Sequence, residues 1–371
     1  MKKDVGVLTW HHHENYGSAL QAYAMVEHIR SLGYSCDLIN YRRENRRHRR
    51  PLLDLKRFLY RRLKRLLNLD DGTNPAFNEF QRHHLPQSRL ITTPQALGRL
   101  NKRYRAIVCG SDQIWSPGSF DPVYMLDFVT DAVEKISYAP SLGRDALPSD
   151  LRTTYASLIE RLNHVSVREE RGRQLLSEVT TAEIEVVLDP TFLLSPTKWI
   201  ELADAPAMET PYALAYFLGN NDGHMRASEA FAARKGLPLV VVPKPTLAGL
   251  DATRSLPPEK CGPRQFLGLI ANAEYVVTDS FHGIALSLIL EKQFLAYDRF
   301  APGDATSQSS RVANLLDIVD LSSRLVPHGA GLPNFNPIDY EAVTSRITAE
   351  RTRSLLYLQN ALIQTDVARP A

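Results

Sequence analysis

The chain has 371 residues, of which 44% are hydrophobic and 23% are charged. This is the composition of a soluble globular protein, long enough for two domains. The net charge of +3 is too small to indicate nucleic-acid binding. Three isolated cysteines argue against a disulfide framework or a zinc knuckle and favour reduced thiols in a cytoplasmic protein. The apolar run after the N-terminus breaks at His11, too early for a signal peptide, and no later stretch could span a membrane.

The first half of the chain alternates near-continuous apolar strands with helices. The spacing of apolar residues predicts strands over 5–10, 36–41, 104–109, 135–139, 165–168 and 184–188, and helices over 19–32 and 151–162. Gly33 is expected to end the first helix. Such an alternation is typical of a parallel sheet that helices cover on both faces.

The second half repeats this alternation. It predicts strands over 212–218, 239–242, 275–278 and 294–297, helices over 225–235, 266–273 and 284–290, and one long helix or two over 338–363. The predicted fold class is therefore α/β, with two Rossmann-like domains that face each other across a cleft, the usual place for a ligand. The expected boundaries are 1–194, 195–335 and 336–371, the last a helical segment that packs back on the N-terminal domain.

Residues 42–67 form a basic insertion in which arginines and lysines interleave with leucines. This pattern predicts an amphipathic helix that lies on an anionic membrane, where each basic residue contributes ~1 kcal/mol. Two alternatives are an ordinary cover over the sheet, with the leucines in the core, and a surface for a protein partner. RNA binding is disfavoured because aromatic residues are few and no recognised RNA module surrounds the segment.

The segment 276–283 runs from a buried strand directly into a helix and places His282 at the junction. In an open α/β sheet, ligands bind at the carboxyl ends of the strands. A histidine there can act as acid, base or phosphate partner, because its charge changes near neutral pH. The alternative is a structural junction in which Asp279 or Ser280 caps the helix and His282 fills space.

Three other loops follow predicted strands. The loop 11–18 enters the first helix, whose free N–H groups attract anions, but it lacks a dinucleotide fingerprint. Its three adjacent histidines cannot all point at one ion, so we predict no metal site. The loop 110–115 contains Asp112, either a cleft residue or a helix cap. Arg168 suits bidentate capture of a carboxylate or phosphate, unless it pairs with Glu169 or Glu170.

Five short motifs occur in order along the chain. They are Asn15-Tyr16-Gly17 with 20–23, Gly110-Ser111-Asp112-Gln113-Ile114-Trp115, Ser166-Val167-Arg168-Glu169, Leu188-Asp189-Pro190-Thr191 and Thr278-Asp279-Ser280-Phe281-His282-Gly283. Together they resemble the polysaccharide pyruvyl transferase family, from the first strand to about residue 320. The resemblance implies a GT-B-like fold. It also implies transfer of the pyruvyl group of phosphoenolpyruvate onto two hydroxyls of one sugar, as a ketal, with release of phosphate and no cofactor.

The resemblance also implies roles for individual residues. His282 corresponds to a histidine of the donor site, a general acid or phosphate partner, and Arg168 to an arginine that holds the donor. Some branches carry an arginine where this chain has Ser280, so another cation must supply that charge. Arg311 is the first candidate, ahead of Arg264 and Lys244.

The base is sought among Asp112, Glu14 and Asp279, with Asp112 named as catalytic. The remaining expected substrate contacts are Asn15, Tyr16, Gly17, Ser111, Ser280, Phe281, Gly283 and Ser310.

The expected partners are phosphoenolpyruvate, a sugar or lipid-linked oligosaccharide acceptor and, through 42–67, an anionic membrane surface; no nucleic acid is expected. This places the protein in the cytoplasm, peripherally at the inner face of the cytoplasmic membrane. One alternative is a nucleotide-sugar glycosyltransferase on the same architecture. A second is a non-catalytic, membrane-associated component of a polysaccharide assembly complex.

Overall fold

The computed structural model describes residues 3–12, 14–43, 74–204, 210–219, 222–243, 260–304 and 307–367, with side chains as far as residue 363. Apart from Arg42 and Arg43, the basic insertion expected at 42–67 lies outside the described residues. The same is true of Lys244, one of the candidate cations.

Two parallel sheets form the framework of the molecule. The N-terminal sheet has the strand order β2-β1-β3-β4. Its strands are β1 (Lys3–Leu8), β2 (Cys36–Leu38), β3 (Tyr104–Cys109) and β4 (Glu134–Ser137). A parallel ladder of β5 (Ser166–Val167) and β6 (Glu185–Val186) continues this sheet on the side of β4. The link is a β-bridge between Ile136 of β4 and His164, which precedes β5. Among these described pairs, only the central one, β1 with β3, joins strands that are not consecutive in the chain.

The C-terminal sheet has five strands in the order β11-β10-β9-β7-β8, and every neighbouring pair is parallel. Its strands are β7 (Ala213–Tyr216), β8 (Leu239–Val241), β9 (Tyr275–Thr278), β10 (Gln293–Tyr297) and β11 (Leu325–Val326). Parallel strands direct all their carboxyl ends to one edge, so the loops after β9 and β10 lie side by side.

Eleven α-helices lie within the described residues. They are α1 (Tyr16–Ser31), α2 (Pro75–His84), α3 (Pro94–Gly98), α4 (Ser149–Ile159), α5 (Glu170–Ser177), α6 (Pro196–Leu202), α7 (Asp222–Arg234), α8 (Pro263–Asn272), α9 (Phe281–Ile289), α10 (Ser309–Ile318) and α11 (Tyr340–Val367). Within the described residues, the strands and helices predicted from the apolar spacing occur close to their expected bounds. None among the described helices combines the length and apolar character that crossing a bilayer requires.

Helix α2 was not predicted from the sequence. It buries only Phe77 and Phe80 among its ten residues, which is too few to define a helical period. Helix α10 begins at Ser309, so Arg311 lies inside its first turn.

One hydrophobic core spans both sheets. It includes Val5 of β1, Tyr216 of β7 and Leu358 of α11. Helix α11 packs against the N-terminal sheet, where Tyr357 Oη donates to the Ser137 carbonyl at 2.8 Å. Because the core continues across residues 194 and 195, the expected domain boundaries stay a prediction. We refer below to residues 3–194 and 195–335 as the N-terminal and C-terminal halves.

Candidate active site at the carboxyl ends of the strands

Side chains from both sheets converge on the carboxylate of Asp189, which follows β6. Its Oδ2 accepts hydrogen bonds from Arg168 Nη1 at 2.8 Å and from Ser111 Oγ at 3.1 Å. The same oxygen lies 3.5 Å from His282 Nε2. Oδ1 accepts from the N–H of Thr191 at 3.0 Å and from its hydroxyl at 2.9 Å. Asp189 therefore joins residues that follow β3, β5 and β9.

The environment of Asp189 keeps its carboxylate ionised. Burial alone would raise its pKa, but the adjacent His282 and Arg168 hold the pKa well below its usual range, helped by the Thr191 N–H. The side chains of Arg168 and His282 are thereby held around one buried anion. The sequence placed Asp189 in a family motif but predicted no role for it. The available signal was its position at a strand end, like that of Arg168.

Arg168 is 3% exposed, yet part of its guanidinium is unused. Nε and Nη2 have no hydrogen-bond partner among the described residues. The guanidinium lies over the Phe281 ring, 4.1 Å from its centroid. Glu169, an expected alternative partner, is 3.8 Å from Nε, whereas Glu170 pairs with Arg173. Buried donors without acceptors are costly, so these two nitrogens indicate a site for an anionic ligand.

The N-termini of two helices meet beside His282. Helix α1 begins after Asn15, whose side chain accepts from the Ser18 N–H at 3.1 Å. Helix α9 begins after Ser280, whose hydroxyl accepts from the Gly283 N–H at 3.3 Å. A Cβ atom built on Gly17 would lie only 2.1 Å from His282 Nδ1, so the ring packs directly on the backbone of α1. The partial positive charges of both helix ends favour an anion here.

Two more arginines lie near this site in the C-terminal half. Arg311 is buried, and its pKa is lowered to about 9 by burial and then by the charge of Arg168. Arg299 follows β10 and donates to the Asp279 carbonyl at 2.8 Å. Both line the same small pocket, together with Phe281 and Ser309. The sequence identified Arg311 but not Arg299. Arg264 donates instead to the Leu202 carbonyl at 3.0 Å and does not line this pocket.

The three candidate bases differ in how they are held. Asp279 accepts from the N–H groups of Leu218 and Gly219 at 2.6 and 2.8 Å, so it fixes a loop. Glu14 accepts from the Asn74 N–H at 2.7 Å.

Asp112 accepts a short hydrogen bond from the hydroxyl of Ser18, the residue after Gly17. It is thus the candidate tied most directly to the helix end that carries Gly17. Among the described residues, no His, Cys, Asp and Glu side chains form a group that could hold a metal ion.

Several expected substrate contacts instead hold the site together. Tyr16 stacks on Phe266 at 4.6 Å, and its hydroxyl donates to the Pro243 carbonyl at 2.9 Å. It therefore ties the halves together, and its predicted contact with substrate stays a prediction. Ser309, not Ser310, lines the pocket beside Arg311.

Phe281 lies under Arg168, and a Cβ on Gly283 would come within 2.6 Å of Thr278 Oγ1. Phe281 thus packs against Arg168, and Gly283 packs against Thr278.

Replacing Asp189 by asparagine is expected to destabilise the protein in a pH-dependent way. A lowered folded-state pKa contributes stability that is present above the unfolded pKa, about 3.9, and is lost as the pH falls through the folded value. Breaking a buried ion pair costs about 3–5 kcal/mol. We therefore expect the free energy of unfolding of Asp189→Asn to be lower than that of wild type by about this amount near neutral pH. The difference should become smaller below about pH 4. Urea unfolding across this range measures it.

The exposed Asp317 provides the matched control for that experiment. Asp317→Asn should leave the free energy of unfolding within about 0.5 kcal/mol of wild type. A difference in the free energy of unfolding between wild type and Asp189→Asn that stays constant down to about pH 3 would contradict the ionised state of Asp189.

Solved structures similar to this chain are sugar-processing enzymes. A glycosyltransferase from Rickettsia africae has a TM-score of 0.50 and 10% identity, with 100% of each chain covered. A UDP-GlcNAc 2-epimerase from Methanocaldococcus jannaschii has a TM-score of 0.49 and 11% identity, covering 94% of this chain and 92% of its own. The Escherichia coli heptosyltransferase WaaC has a TM-score of 0.42 and 13% identity, covering 94% and 99%. At such identities only the fold is comparable. The predicted α/β fold of GT-B type is confirmed.

The sequence comparison is more specific than the structural one. No curated protein matches the chain. The sequence profile of the family described as polysaccharide pyruvyl transferase matches residues 15–299, which is most of the chain and includes the loops that carry Gly17, Asp112, Arg168, Asp189 and His282. The chain therefore belongs to the polysaccharide pyruvyl transferase family.

Proposed function

We propose that the protein transfers the pyruvyl group of phosphoenolpyruvate onto two hydroxyls of one sugar in a surface-polysaccharide precursor. The products are a cyclic ketal that bears a carboxylate, and inorganic phosphate. The observation that carries the proposal is the buried guanidinium of Arg168, with two unpaired donors beside His282. A planar guanidinium with unused donors suits the bidentate capture of a carboxylate or a phosphate.

The cations match a donor with two anionic groups. Phosphoenolpyruvate carries a carboxylate and a phosphate on the same carbon atom of one small molecule. Arg168 offers a planar fork for one of them, and Arg311 lies near enough for the charge of Arg168 to lower its pKa. The N-termini of α1 and α9 add partial positive charge beside His282. This arrangement supports a small dianionic donor.

The proposed reaction needs one acid and one base. We assign the role of acid to His282, whose Nε2 lies 3.5 Å from Asp189 Oδ2 and whose Nδ1 lies against Gly17. In the first step His282 protonates the methylene carbon of phosphoenolpyruvate, which becomes the ketal methyl group, and the first sugar hydroxyl attacks the adjacent carbon. In the second step the C–O bond to phosphate breaks, phosphate leaves with the bonding electrons, and the second hydroxyl attacks the same carbon.

The proton balance closes over these steps. Of the two hydroxyl protons, one restores His282 and the other leaves with phosphate. Asp112, in contact with Ser18, is the proposed first acceptor of a hydroxyl proton. Asp189 positions His282 and stabilises its charged form without itself taking the proton, as its lowered pKa requires.

A nucleotide-sugar glycosyltransferase is the second candidate function, and the fold favours it, since the Rickettsia africae structure is a glycosyltransferase. The two candidates require different donors. A lipid-linked acceptor and attachment of 42–67 to an anionic membrane are further parts of the first proposal; that segment lies almost wholly outside the described residues.

Donor binding tests the proposal directly. We expect phosphoenolpyruvate to raise the melting temperature of the protein, because a ligand at 100 times its Kd stabilises the native state by about 2.7 kcal/mol. Nucleotide sugars and inorganic phosphate should produce smaller shifts. Arg168→Lys keeps the charge beside Asp189 but loses the planar fork, so the shift with phosphoenolpyruvate should decrease.

Phosphate release with sugar acceptors, followed by ³¹P NMR, then separates an enzyme from a binding protein. Stabilisation by nucleotide sugars but not by phosphoenolpyruvate would favour the glycosyltransferase. Donor binding without phosphate release from any acceptor would favour the non-catalytic component.

A further inference from the structure

Gln113 connects the two halves of the molecule at the proposed donor site. It follows Asp112 in the loop after β3, whereas Arg311 lies in the first turn of α10. With its amide oxygen toward the guanidinium, Gln113 accepts from both terminal nitrogens of Arg311, each at 2.9 Å. Arginine offers only donors, so this orientation of the Gln113 amide pairs its oxygen with the guanidinium. Gln308 is a second acceptor, since its backbone carbonyl accepts from Arg311 Nε at 3.3 Å and its Oε1 accepts from Nη2. A residue of the N-terminal half thus fixes a cation of the C-terminal half.

Helix α10 is held to the N-terminal half at a second point. The N–H of Glu170, at the start of α5, donates to Asn314 Oδ1 at 3.1 Å. Asn314 lies three residues after Arg311, about one helical turn along α10. The two hydrogen bonds together fix both the position of α10 and the direction of the Arg311 side chain.

The side chain of Gln113 is itself supported. A Cβ atom on Gly143 would lie 2.7 Å from its amide, so Gln113 packs directly on the backbone of that loop. Glu169 fastens the loop, because its Oε1 accepts from Ser141 Oγ at 2.8 Å and from the Leu142 N–H at 3.0 Å. A series of fixed contacts therefore leads from Glu169 to Arg311.

The chemistry of the Gln113 side chain explains why a neutral amide, and not a carboxylate, is the partner of Arg311. Arg311 is buried close to Arg168, and a carboxylate in this place would neutralise it. A neutral amide oxygen orients the guanidinium and leaves its charge available to an anion. We propose that Gln113 is a positioning residue that holds Arg311 toward the anionic donor across the two halves. This inference rests on the proposed function, which supplies the donor.

Two substitutions separate positioning from a merely structural role. Gln113→Ala leaves Arg311 with Gln308 as acceptor but leaves Nη1 of this buried arginine with none among the described residues, so we expect a lower melting temperature and a Kd for phosphoenolpyruvate increased about 10–100-fold. Gln113→Glu supplies an ionic partner for Arg311, so the melting temperature should stay equal or rise. Its Kd should nevertheless increase about 10–100-fold, because the carboxylate opposes the anionic donor. Isothermal titration calorimetry and thermal unfolding measure the two effects.

Gln95→Glu adds the same charge at an exposed position of α3 and should leave both quantities unchanged. The positioning role is wrong if wild type binds phosphoenolpyruvate and Gln113→Glu binds it equally well. If wild type does not bind phosphoenolpyruvate, the proposed function is wrong. The contact between Gln113 and Arg311 is then tested by thermal unfolding alone. In that case a Gln113→Glu protein no more stable than Gln113→Ala overturns the positioning of Arg311 as well.

Discussion

Replacing His282 by alanine is expected to reduce phosphate release from phosphoenolpyruvate by about 10²–10⁴-fold, the usual contribution of a general acid. Donor affinity should fall far less, because Arg168 and Arg311 remain. The fold should survive, since Asp189 keeps its hydrogen bonds with Arg168, Ser111 and Thr191. We expect a destabilisation of about 0.5–3 kcal/mol, as is typical of a buried substitution. Steady-state phosphate release, calorimetric donor titration and urea unfolding together test these three expectations.

Two further variants show whether the loss of turnover is due to the loss of the general acid. His282→Gln retains a side chain of similar reach that cannot transfer a proton, so its turnover should resemble that of His282→Ala. His83 lies exposed on α2, and His83→Ala should leave turnover unchanged. Full turnover in either His282 variant would remove the imidazole from the mechanism. A loss of donor affinity equal to the loss of turnover would instead make His282 a binding residue.

The positions of His282 and Arg168 were predictable for a simple physical reason. Parallel strands present their carboxyl ends at one edge, so a polar residue just after a buried strand is a site residue wherever the strand lies in the sheet. The apolar strand patterns around both residues are strong, and the structure contains β5 and β9 where they were expected. The periodicity of the sequence thus locates the edge where both residues lie without any knowledge of the strand order.

The partners of these residues were not predictable in the same way. Asp189 and Arg168 are 21 positions apart, and their pairing depends on β5 and β6 lying side by side. Tyr16 was expected to contact substrate because it lies in a family motif. Its stacking on Phe266 depends instead on how two distant helices pack. Strand order and helix packing are three-dimensional facts that local periodicity does not encode.

Replacing Gly17 by alanine is expected to lower turnover by about 10²-fold, the effect of misplacing a catalytic group by about 1 Å. The added Cβ would lie 2.1 Å from Nδ1 and 2.4 Å from Cγ of His282, whereas ordinary contacts begin near 3.4 Å. The ring must therefore move away from α1 and from its place against Asp189. In an exposed helix alanine is more favourable than glycine by about 1 kcal/mol. A loss of stability at Gly17 would therefore report overpacking, which costs about 1–3 kcal/mol.

Gly98 offers the matched control, because a Cβ there meets nothing within 4 Å. Gly98→Ala should leave turnover unchanged and leave stability equal or slightly higher. A double-mutant cycle with His282→Ala then identifies the cause of the Gly17 effect. Without the ring, the new Cβ no longer meets Nδ1 and Cγ and keeps only a contact of 2.8 Å with the Cβ of residue 282, so Gly17→Ala should cost less stability in the His282→Ala background. The expected coupling energy is about 0.5–3 kcal/mol.

Independent, additive losses in that cycle would mean that Gly17 acts through the N-terminus of α1 and not through His282. The two explanations assign different functions to the same glycine. If Gly17 acts through His282, the imidazole ring must pack directly against the N-terminus of α1. An anion bound by the N–H groups of α1 then also contacts the imidazole. The absence of a side chain at residue 17 would then be as necessary to the site as the histidine that takes its space.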